Sequence, residues 1–67
     1  MAVMKVIEIL SESKTSFEDA IKQGVKRASK SVNDVRSAYV NEQSVTVKNG
    51  KINAYRVNLK ITFQVNE

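Results

Sequence analysis

The side chains that could do chemistry here are carboxylates, one strand arginine and a tyrosine. Glu8, Glu12, Glu18, Asp19, Asp34 and Glu42 offer acid, base or hard-oxygen ligand chemistry, but no two stand at a diagnostic spacing. The chain has no Cys and no His, which removes thiol and imidazole nucleophile systems and the usual zinc sites. Its two glycines, Gly24 and Gly50, are too few and too far apart for a phosphate-cradling loop, and no EF-hand loop occurs. These absences argue against an enzyme and for a binding or assembly role.

Three side chains carry competing roles. Glu42 can ligate a cation together with symmetry mates, or form a simple salt bridge. Arg56 can hold a phosphate or carboxylate, or sit in an ion pair. Tyr39 can stack on a ligand, or cover neighbouring aliphatic stems.

The elements that must position them follow from periodicity. Residues 3–11, VMKVIEILS, are rich in Val and Ile and read as a first strand. SESKTS is a loop with helix-start chemistry: Ser16 can cap the amide of Asp19, or Thr15 that of Glu18. Over 17–32, Phe17, Ala20, Ile21, Gly24, Val25, Ala28 and Val32 form one apolar helical stripe. Gly24 on that stripe suggests close approach of the helix to a sheet. From Val35 the period becomes two, and Asn49-Gly50 marks a type I′ hairpin. The fold class is therefore α+β, in the order β-α-β-β, with an antiparallel sheet on one helix.

A two-residue turn makes Lys48 oppose Lys51. Val40 is then expected opposite Leu59, Ala38 opposite Ile61 and Glu42 opposite Val57. The other face carries Ser37, Tyr39, Asn41 and Gln43 against Thr62, Lys60, Asn58 and Arg56. Strands of about a dozen residues span about 40 Å, whereas a 16-residue helix spans about 24 Å. The hairpin must overhang its helix, and an overhang with open edges invites subunit pairing.

Composition points the same way. One domain, residues 1–67, is too small for a large core, and without disulfides or zinc the common remedy is oligomerisation. The net charge is +4, with Lys22, Lys26, Arg27 and Lys30 on the helix. A solvated helix face accounts for these better than a nucleic-acid surface. The opening MAVMKVIEIL lacks the sustained apolar region of a signal peptide, and no segment reaches bilayer length. A cytoplasmic protein with no membrane partner is expected.

KVIEILSES, SFEDAIKQGVKRASKSVNDVRSAYVNEQ and AYRVNLKITFQV together resemble the dodecin family over nearly the whole chain. The resemblance implies a three-stranded sheet wrapped on one helix, a homododecameric hollow shell, no enzymatic activity, and binding or storage of a small ligand or ion. Many family members are flavoproteins that hold riboflavin or another flavin such as FMN. They stack it on a Trp in the second strand and hydrogen-bond it from a Gln in the third. Aligned with those segments, SAYV places Ser37 at the Trp position and YRV places Arg56 at the Gln position. Tyr39, Gln43 and Asn58 are expected to line the same pocket. RSAYVNEQ and YRVNL are more similar to the Trp-less members called calcium dodecins, which implies calcium as the alternative ligand, with Glu42 as the candidate metal residue.

Overall fold

The computed structural model describes residues 2–65, so Met1, Asn66 and Glu67, the ends of the expected 1–67 domain, lie outside it. The chain forms β1 (Met4–Ser13), α1 (Phe17–Ser31), β2 (Val35–Lys48) and β3 (Lys51–Gln64). They build one antiparallel sheet in the order β1-β3-β2. The first strand runs two residues past its expected end. Ser13 explains this: it is buried, donates to Asp19 Oδ2 at 2.6 Å, and accepts from the Thr15 amide at 2.9 Å. The loop is thus pinned directly to the strand.

Ser16 is the N-cap, its Oγ accepting from the Asp19 amide at 2.9 Å. Glu18 and Asp19 occupy the first turn, where they complement the partial positive charge of the helix N-terminus. Val32 turns extended and caps the C-terminal end through a bond to the Ala28 carbonyl. The apolar stripe faces the sheet. Ala20, Gly24 and Ala28 are buried against Val57, Leu59 and Ile61, with Phe17, Ile21 and Val25 packed around them. Phe17 meets Tyr55 edge to face, with ring centroids 5.1 Å apart.

The hairpin turns at Asn49 (φ 53°) and Gly50 (φ 74°), the two positive angles a type I′ turn requires. Lys48 pairs with Lys51, Val40 with Leu59 and Ala38 with Ile61, as the two-residue loop predicts. The middle of the register differs. Glu42 opposes Asn58 instead of Val57, and Gln43 opposes Val57 instead of Arg56. Asn41 is an extra residue on β2, and Asn53 an extra residue on β3 restores the pairing near the turn. Arg36 is a third irregularity at the start of β2.

Each irregularity falls where the apolar parity of the sequence breaks. Val35 and Ala38, Val40 and Val45, and Ile52 and Tyr55 all stand an odd number of residues apart. A regular strand would place the members of each pair on opposite faces. A bulge shifts the phase by one and returns both to one side. Left-handed Asp34 (φ 62°) sets the entry to β2; its carbonyl accepts from the Gln64 amide and its carboxylate pairs with Arg36 at 3.0 Å.

The molecule is 51 Å long and 18 × 14 Å across, so the hairpin outruns its helix as expected. On the helix side of the overhang, Val45, Val47 and Ile52 stand exposed.

A Cβ added at Gly24 would lie 2.6 Å from Leu59 Cδ1 and 3.2 Å from Ser11 Cβ. Leu59 is fully buried and cannot swing away without disturbing its neighbours. Alanine's helix preference, about 1 kcal/mol over glycine, is outweighed by overpacking of about 1–3 kcal/mol. Gly24→Ala should therefore lower the urea and thermal midpoints at fixed protein concentration; a raised midpoint would contradict this packing.

Candidate functional site

The sheet face turned away from the helix is organised in cross-strand rows, because directly opposed residues share a face. From one end to the other they read Val6–Thr62–Ser37, Glu8–Lys60–Tyr39, Leu10–Asn58–Glu42 and Glu12–Arg56–Ser44. Charged and polar groups fill the centre, and exposed Val6, Leu10 and Tyr39 lie among them. The face is mixed in character, as in interfaces that pair apolar contact with specific polar bonds.

Asn58 is the pivot of this face. Its Nδ2 donates to Glu8 Oε2 at 2.8 Å. A carboxylate accepts only, so the contact fixes the amide with nitrogen toward Glu8. Its oxygen, Oδ1, is then buried with no hydrogen-bond partner, the single such side-chain atom among the described residues. A buried acceptor left unmade costs about 1–3 kcal/mol, a local cost offset by the Asn58–Glu8 bond and the surrounding packing. Glu42, directly across on β2, is exposed. Glu8, Asn58 and Glu42 thus gather three oxygen-bearing groups from three strands.

These groups suit a hard cation, which takes carboxylate and amide oxygens. Within one chain the set is incomplete, because calcium takes about 6–8 oxygens. Among the described residues no three acidic side chains group together as a metal site. Glu12, the next carboxylate on the face, is held by Arg56 at 2.6 Å. A cation here needs donors from a second chain or from water.

The residues expected at the pocket are distributed as follows. Tyr39, Asn58 and Glu42 share the outer face in adjacent rows. Gln43 does not: the bulge at Asn41 places it opposite Val57, on the helix side. Ser37 and Arg56 share the face but sit in rows six residues apart along β3, about 20 Å. One chain therefore cannot bring both to one ligand, and a site using both must join two chains. Sequence periodicity alone did not single out Glu8 and Glu12. Their i, i+4 spacing in a strand puts them on one side, but which side follows only from how β1 pairs with β3.

Comparisons with known proteins agree with this architecture. The family model described as Dodecin matches residues 3–66. The calcium dodecin of Mycobacterium tuberculosis is 46% identical over 66 residues, covering 97% of this chain and 92% of that protein. The crystal structure of a calcium dodecin from that organism, described as calcium-chelating with a novel calcium-binding site, aligns with a TM-score of 0.83 at 45% identity. That alignment covers 96% of this chain and 91% of that one. Dodecin from Streptomyces davaonensis aligns with a TM-score of 0.93 at 26% identity, covering 98% of this chain and 97% of its own.

The Glu12–Arg56 pair connects the edge strand β1 to the central strand β3 near the overhanging end. Its side chains are 46% and 45% exposed, so solvent screening limits its worth. A double-mutant cycle with Glu12→Gln and Arg56→Gln should give a coupling of about 0.2–1 kcal/mol, falling in high salt. A coupling well above that range would mean the pair is buried in the assembled protein.

Proposed function

Since this chain belongs to the dodecin family, we propose that it forms a homododecameric shell that binds and stores calcium rather than flavin. The observation that carries this reading is that Glu8 and Glu42, both exposed carboxylates, flank Asn58 from the strands on either side. Glu42 and Glu8 supply the charge and the carboxylate oxygens. Adjoining subunits and water complete the shell of ligands. The high identity to a calcium dodecin over nearly the whole chain supports the same ion.

Flavin binding is disfavoured by what occupies the family's flavin positions. The chain contains no Trp, and Ser37 has no ring to stack on an isoalloxazine. Stacking is worth about 0.5–1.5 kcal/mol beyond area burial, and a ligand bound in pairs forfeits it at each copy. Arg56, at the family's Gln position, is already engaged by Glu12. Lys60 opposes Glu8 and keeps the neighbouring row from becoming strongly anionic, which favours one cation near Glu42 over a string of them.

Calorimetry on chelator-treated, dialysed protein should show saturable calcium binding. Glu42→Gln, which preserves shape and removes charge, should weaken it roughly tenfold or more, about 1.4 kcal/mol. Riboflavin titrated into the same protein should keep its fluorescence. Absence of calcium binding, or equal affinity in Glu42→Gln, would refute the site; saturable riboflavin quenching would restore flavin as the ligand.

A further inference from the structure

A groove runs between α1 and the outward edge of β1, reaching the outer sheet face only at Leu10 and Glu12. It is an open groove of about 600 Å³, within the range of about 300–1,000 Å³ usual for small-molecule sites. Ile7 and Ile9 of β1 and Ala28 of α1 give it an apolar floor. Gly24 lies in the same wall, where the helix approaches the sheet closely. Lys26, Arg27 and Lys30 form the rim.

Solvation explains why these cations are tolerated, but the macrodipole alone does not explain their placement along one groove. The helix macrodipole accounts for Lys30, in the last turn, but its influence fades before Lys26 and Arg27. Among the described residues, the helix cation in an ion pair is Lys22, with Glu18 at 3.4 Å, and Lys22 does not line the groove. Glu12 does line it, but Arg56 holds that carboxylate at 2.6 Å. Three cations therefore face an apolar floor with their one acidic neighbour offset by another residue.

We propose that this groove binds a small organic phosphate. Its apolar body lies on Ile7, Ile9 and Ala28, and its phosphate is held by Lys26 and Arg27, with Lys30 adding charge. Arginine suits the role because its planar fork matches phosphate oxygens two at a time. Inorganic phosphate meets only the rim and a neutral apolar molecule only the floor, so affinity requires both halves in one ligand. The groove borders the outer face at Leu10 and Glu12, but its binding residues are not Glu8, Asn58 or Glu42, so the two proposals stand or fall separately.

The test is titration of 1-naphthyl phosphate into the assembled protein, followed by naphthyl fluorescence anisotropy. Saturable binding is expected, weakening as salt rises from about 50 mM to about 500 mM. The double variant Lys26→Ala/Arg27→Ala should bind roughly tenfold or more weakly. Lys22→Ala should bind as the parent does. 1-Naphthol and inorganic phosphate, used alone as competitors, should each be poorer by a similar factor. Circular dichroism and native mass confirm that the variants keep their fold and subunit number. No saturable binding, or equal affinity in the double variant, would overturn the proposal.

Discussion

Two paired strands of 14 residues are too long for one 15-residue helix to cover, and most other features follow from that mismatch. The helix spans about 22 Å at 1.5 Å per residue, while the molecule extends 51 Å. The covered part holds a compact core of small helix residues against Val57, Leu59 and Ile61. The uncovered part carries Val45, Val47 and Ile52 into solvent on the helix side. A small domain can leave such surface exposed only at a cost in solubility, which association with further copies removes.

The outer sheet face then acquires its character from pairing rather than from any one motif. β3 lies in the centre of the sheet and brings Asn58 between a carboxylate-bearing strand on each side. The result is a polar surface with one buried oxygen lacking a partner, and with its charges only partly paired. Such a surface suits an ion or a neighbouring subunit better than a flat aromatic ring. A dodecin-family chain of this kind is a binding protein, not an enzyme. No helix among the described residues is long and apolar enough to cross a membrane.

Much of this was legible in the sequence. The β-α-β-β order, the Ser16 cap, the turn at Asn49-Gly50, the overhang and the close approach at Gly24 each follow from local chemistry with one dominant cause. The bulges are not legible from a period-two pattern, for a physical reason. A uniform alternation running from the turn through the whole hairpin has no place for them, although Val40 and Val45 already violate it. Reading that parity break would have moved Glu42 to the outer face and Gln43 off it. The Asn58–Glu8 contact was harder to see, since it depends on how β1, far away in sequence, pairs with β3. Whether Ser37 and Arg56 meet depends on a second chain, which periodicity in one chain does not encode.

The central claim is that this surface works only between copies and holds calcium there. Native mass measurement of the intact protein, with calcium and then after chelation, tests both parts together. The account predicts a complex of twelve chains carrying an integral number of calcium ions that chelation removes. A monomer or dimer at micromolar concentration, or twelve chains that retain flavin and no calcium, would contradict it.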